Sequence, residues 1–161
     1  MQTHTEKRMH IKVKLYPGAT MPQQAHSDDV GYDLTSAKVR IESKTCNDML
    51  IGRVIVDTGV AVEPPEGYHV EVVPNSRICK SDYLMPNSPG IIDPGYRGTI
   101  KLVYVPRVAG MVSDARKLFA PGKVCGQLII RKTEHMPFIQ ADALSETERG
   151  TDGFGSTEKK R

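Results

Sequence analysis

Apolar and polar residues alternate along most of this chain, and a period of two is the signature of strands that bury one face. The alternation is strict in HIKVKLY (10–16) and returns in RVIVDTGVAVE (53–63), YHVEVVP (68–74), GTIKLVYVP (98–106) and KVCGQLIIRK (123–132). Val, Ile and Tyr are enriched there, side chains that fit a pleated, half-buried surface. Turn formers punctuate the runs: Pro17-Gly18, Pro64-Pro65, the stretch 87–90 (NSPG) and Pro121-Gly122. Many short strands closed by Gly/Pro turns predict an all-β, antiparallel sandwich or barrel.

The chain of 161 residues suits one domain with a real core, and with no Trp and 3 Phe that core is expected to rest on Val, Ile and Leu. A net charge of +3 favours a small anionic ligand over a nucleic-acid surface, where clustered basic stripes are expected. Cys46, Cys79 and Cys125 are odd in number and widely spaced, which points to a reduced, cytosolic setting rather than to disulfides or a metal. MQTHTEKRMH lacks the apolar core of a signal peptide, and no run has the length of a membrane span. Two stretches break the strand pattern. SDYLMPNS (81–88) reads as a hairpin or loop, and AGMVSDARKLFAPG (109–122) as an excursion with room for a helical turn. The expected organisation is a β domain over 1–145 and a flexible, polar, glycine-rich arm over 146–161. An aromatic residue, Phe154, in such an arm implies that the arm folds onto something.

Four further segments stand out: AHSDDVGYDLTSA (25–37), PNSRICK (74–80), PNSPGIIDPGYRGTI (86–100) and GKVCGQLI (122–129). In this order, with RGTDGFGST (149–157) last, they resemble the five motifs of the trimeric dUTP pyrophosphatases (dUTPases). The resemblance spans nearly the whole chain, and the third and fifth segments are the most specific. It implies a jelly-roll-like distorted β-barrel, three copies of which share active sites. It also implies Mg²⁺-dependent hydrolysis of dUTP to dUMP and pyrophosphate, a reaction that limits uracil in DNA and supplies dUMP for dTMP synthesis.

Such a reaction needs a base for the attacking water, donors and Mg²⁺ for the phosphate charge, and a pocket that tells uracil from other bases. Asp93 is the candidate base; an Asp before Pro-Gly is also an ordinary turn residue. The resemblance places the Tyr96 ring on the deoxyribose, where it would exclude a 2′-hydroxyl, and gives Arg97 a structural role in the trimer. The amide of Asn87 both donates and accepts, and with backbone groups of Gly90 to Ile92 it fits a uracil edge. Cytosine would leave buried groups there unpaired, a mismatch that can give ~10⁴-fold rejection. Ser76 and Gln127 are the expected phosphate donors; Gln127 lies in an apolar strand, where it needs a partner. Asp33 is expected to reach Mg²⁺ through water, while Asp28 and Asp29 read as a solvated loop. In the arm, Phe154 would stack on the base, and Arg149, Gly155, Ser156 and Thr157 would hold the γ-phosphate.

The chain departs from the pattern at Asn75, where the second motif usually carries Arg. Arg77, two residues on, would share a side with position 75 if the segment is extended, and is the candidate to take that arginine's place at the substrate phosphates. Asp152 and Glu158 stand where glycines are common. Two competing readings follow: a dUTPase-like binding or regulatory protein with weak activity, and a dCTP deaminase of the same fold. A serine hydrolase lacks support because no GxSxG occurs, and His26 and His69 read as surface or strand residues.

Overall fold

The computed structural model describes residues 9–46, 49–108 and 114–152. The strands are β1 (Lys12–Leu15), β2 (Tyr32–Thr35), β3 (Lys38–Cys46), β4 (Met49–Asp57), β5 (Val60–Glu63), β6 (Tyr68–Val73), β7 (Tyr83–Leu84), β8 (Gly90–Ile92), β9 (Lys101–Pro106) and β10 (Val124–Lys132). The described helical pieces are a 3-10 turn, Ser76–Lys80, and the one-turn helix α1, Ala115–Leu118. Every strand pairing is antiparallel, in sheets ordered β1-β5, β2-β10-β6-β8 and β3-β4-β9-β7. The all-β, jelly-roll-like expectation is met.

The alternating residues fill the core. Val54 and Val56, Val60 and Val62, Val70 and Val72, and Leu102 and Tyr104 are buried in step along their strands. Each valine so buried contributes roughly 1.5–3 kcal/mol. Aromatic residues do more than the composition predicted. Tyr83 and Tyr104 are the largest fully buried side chains, and Phe119 stacks on Tyr104 at 4.5 Å and meets Tyr83 edge-on at 5.6 Å.

RVIVDTGVAVE is two strands, not one. Thr58 is buried and donates its hydroxyl to Ile100 O at 2.9 Å. Gly59 then takes φ +65°, a conformation that side chains resist, and a Cβ on it would lie 2.9 Å from Ala19 Cβ. The chain turns there from the sheet of β4 to that of β5. The stretch 81–88 contributes the short strand β7, and 114–119 contributes α1 with Ala115 and Phe119 in the core. Residues 109–113 lie outside the described part. No described helix is long and apolar enough to cross a membrane. Among the described residues no strand or helix follows Lys132, and Met136, Phe138, Ile139 and Leu144 beyond it are exposed.

Candidate active site

The first group of predicted residues surrounds β8. Gly90 is buried, and a Cβ there would stand 2.9 Å from Val72 Cγ2 and 3.2 Å from Asn87 Nδ2, so the Asn87 amide lies close over the start of the strand. Ile92 packs on the core and Ile91 points outward. β8 pairs with β6 along one side only and ends its sheet, so among the described residues its other backbone edge carries no strand. An open edge is a row of alternating donors and acceptors.

The strand ends in a tight turn, with Tyr96 N–H donating to Asp93 O at 3.0 Å. The turn expected from Asp-Pro-Gly is therefore present, and the exposed Asp93 carboxyl has no hydrogen bond or ion pair to a described residue. Arg97 fixes the turn from outside, donating to Pro94 O at 2.6 Å and Tyr96 O at 3.1 Å, with Nε 3.6 Å from Glu63 Oε2. The carboxyl of Glu63 is held below its ordinary range, first by its hydrogen bond from Lys12 and least by Arg97. Tyr96 is partly exposed, and its hydroxyl donates to Thr99 O at 3.2 Å. The ring leans over Gly98, where a Cβ would lie 2.3 Å from the phenol oxygen. The motif alone assigns Gly98 no role, because its use depends on the path of the Tyr96 ring.

The second group centres on β10. Its register shifts between Val124 and Gly126 against β2, a bulge around Cys125. The extra residue lets Cys125 and Leu128, three positions apart, both turn inward, leaving Gln127 on the other face. The partner that Gln127 needed is Asp33: Nε2 donates to Oδ1 at 3.1 Å across β10 and β2. Gly31 makes room for this pair, since a Cβ there would sit 3.0 Å from Gln127 Cδ. Gly126 does allow close approach, with Leu102 and Val73 O of the protein's own core as the neighbours. The Cys125 thiol donates to Leu34 O at 3.2 Å, and burial pushes it up to about 12.

On its other side Gln127 stands opposite Val73, the last residue of β6. The chain continues through Pro74 and Asn75 to Ser76, exposed at the head of the 3-10 turn. The extended geometry that would have put Arg77 on the side of position 75 does not hold. Ile78 N–H bonds back to Asn75 O at 3.1 Å, and successive residues of such a turn point about 120° apart. Arg77 lines a cleft with α1, and it also borders a small pocket together with Asn75, Leu118 and Cys125.

The register shows which predicted residues one chain brings together. Gly90 faces Val72 and Ile92 faces Val70, so Asp93 leaves β8 at the Tyr68 end of β6, whereas Ser76 and Gln127 belong to the Val73 end. The step from His69 to Val73 spans about 13 Å. Asp93 and Tyr96 lie toward the Tyr68 end of β6, while Ser76, Gln127 and Asp33 lie at the Val73 end, and Gly90, opposite Val72 with Asn87 beside it, is nearer the latter. Arg149 joins neither: its Nε donates to Asp152 O at 3.0 Å in an exposed turn. Phe154, Gly155, Ser156 and Thr157 lie outside the described residues.

The sequence pattern of the dUTPase family matches residues 18–158. The chain belongs to the dUTPase family. Among relatives, the deoxyuridine 5'-triphosphate nucleotidohydrolase of Fusobacterium nucleatum is 33% identical over 154 residues, covering 95% of this chain and 99% of its own. That of Corynebacterium diphtheriae is 34% identical over 160 residues, with 98% of each covered. Among solved structures, a Staphylococcus bacteriophage 80alpha dUTPase mutant with dUpNHpp superposes with a TM-score of 0.73 at 25% identity, covering 92% of this chain and 98% of the other. The dUTPase fold is thus shared over most of the chain.

Proposed function

We propose that the protein hydrolyses dUTP to dUMP and pyrophosphate, with Asp93 as the base for the water that attacks the α-phosphorus. The observation that carries this reading is an open strand edge, β8, leading directly into an exposed carboxylate without a described partner. The edge supplies backbone donors and acceptors for uracil, with the Asn87 amide beside them. Tyr96 walls off the 2′ position of the sugar. Ser76 and Gln127 donate to the phosphates.

Among the described residues no group of three or more His, Cys, Asp or Glu converges as a cage for a metal. Mg²⁺ fits such a site all the same, because it keeps several waters and travels with phosphates. Asp33, half-buried and fixed by Gln127, is the carboxylate placed to accept hydrogen bonds from that water shell. Bound Mg²⁺ would offset phosphate charge as it develops.

The separation of Asp93 from Ser76 and Gln127 along β6 supports a homotrimer, in which Asp93 of one subunit meets Ser76 and Gln127 of another. The exposed Met136, Phe138, Ile139 and Leu144 support the same reading, since such a run is normally covered in an assembly. The arm, through Arg149, Phe154, Gly155, Ser156 and Thr157, would close over the nucleotide.

Pyrophosphate release from dUTP, dCTP, dTTP and UTP tests the activity. Turnover of dUTP alone is expected, and Asp93→Asn should lower it by about 10²–10⁴-fold while still binding dUpNHpp. Binding of dUTP without steady release would favour the regulatory alternative, and ammonia release from dCTP would make the protein a deaminase.

A further inference from the structure

A cleft of about 390 Å³ lies between the Ser76–Lys80 turn and α1, lined by Arg77, Asp114, Lys117, Leu118 and Lys123. None of the three cationic side chains of this lining has an ion pair or hydrogen bond to a described residue. Some other surface cations are paired, Lys12 with Glu63, Arg53 with Glu42, Lys101 with Asp57 and Arg131 with Glu71, so the cleft keeps three charges that no described carboxylate offsets. The one carboxylate in the lining is engaged, since Asp114 Oδ1 accepts the Tyr83 hydroxyl at 2.9 Å.

The walls are anchored. Ala115 and Phe119 fix α1 in the core, with Phe119 between Tyr83 and Tyr104. Lys123 follows a tight turn closed by its own N–H to Ala120 O at 2.9 Å, with Gly122 at φ +81°. Arg77 extends from the 3-10 turn opposite. Three cations lining one cleft on anchored backbones suit an anion with several charged oxygens, because little backbone ordering is needed when it binds.

We propose that this cleft binds a polyphosphate anion through Arg77, Lys117 and Lys123. The choice of ligand rests on the dUTP-hydrolysing reading, which gives such an anion two sources: pyrophosphate set free, or the phosphate tail of a bound nucleotide.

The test titrates inorganic pyrophosphate into the full-length protein and into its Lys117→Ser/Lys123→Ser variant at low salt. The variant should bind at least about tenfold more weakly, since even one lost charge-assisted contact has that size, and the difference should shrink as salt rises. Both positions are exposed, so thermal unfolding should not change, and Arg77→Ser should show the same loss. Affinity for dUMP, which lacks the polyphosphate, should stay within about twofold. A parallel rise in KM for dUTP assigns the cleft to the nucleotide tail; weaker product inhibition with an unchanged KM assigns it to free pyrophosphate. Equal pyrophosphate affinity in the protein and both variants, or no binding by the unaltered protein, would overturn the proposal. A binding difference in a protein that does not turn over dUTP would keep the cleft and remove the activity.

Discussion

Gln127 donates its amide to Asp33 Oδ1 across 3.1 Å, linking the expected phosphate donor to the expected neighbour of Mg²⁺. The two residues are directly opposite in the β2–β10 register, and Gly31 leaves the space in which they meet. A carboxamide has a second N–H, so Gln127 can hold Asp33 and a phosphate oxygen together.

Asp33→Asn should therefore disturb the metal more than the fold. The replacement still offers an oxygen to Gln127 but lacks the charge that orders metal-bound water. The Mg²⁺ concentration for half-maximal dUTP turnover should rise by about 10–100-fold, with thermal stability nearly unchanged. An unchanged Mg²⁺ requirement would remove Asp33 from the metal's surroundings.

Gly98→Ala should loosen sugar selection. Its Cβ would lie 2.3 Å from the Tyr96 phenol oxygen, and the ring, being partly exposed, is free to swing away. The ratio of kcat/KM for dUTP over UTP should fall by about tenfold or more. Tyr96→Phe, which keeps the ring, should preserve the ratio. Unchanged selectivity in Gly98→Ala would separate Tyr96 from the 2′ position.

Asp93→Asn and Gln127→Ala chains should complement each other. Each alone is expected to be poorly active. If sites form between subunits, random mixing on refolding restores both residues in about one quarter of the sites. Sedimentation should give roughly three times 17.8 kDa. No recovery on mixing would mean that one chain supplies both residues.

Stability should decline in alkali partly through Cys125. Burial raises its thiol from 9.0 to about 12, so its contribution is complete below pH 9 and is lost as pH rises toward the folded value. Over that window the unfolding free energy should fall by up to ~1.4 kcal/mol per pH unit from this group. Urea titrations at several pH values should show a shallower fall in Cys125→Ala. Identical slopes would rule the thiol out.

Gly126→Ala should damage the fold itself. The added methyl would lie 2.3 Å from Leu102 Cδ2 and 2.8 Å from the Val73 carbonyl, and that backbone oxygen has no rotamer to change. Destabilisation of about 1–3 kcal/mol is expected in urea unfolding.

Much of this was legible in residue order. The alternating runs became strands because a period of two permits only one buried face, and the Asp-Pro-Gly turn after Ile92 formed as its residue types require. Gln127 announced a partner by being polar in an apolar strand. The identity of that partner, Asp33, was not legible, because 94 residues separate the pair and a bulge at Cys125 sets which way Gln127 faces. The break at Gly59 was hidden inside a perfect alternation. The side chain of Arg77 could not be placed by the two-residue period of a strand, because its segment coils into a 3-10 turn.

The sequence by itself determined the class of fold, the places of most turns and the residue types of the chemistry, since these follow from periodicity and from motifs local to the chain. Only the tertiary structure decided which of those residues meet. Register and bulges along β6 and β10 set Asp93 apart from Ser76 and Gln127 while joining Gln127 to Asp33. They depend on how distant strands pack against one core, and no local stretch encodes that.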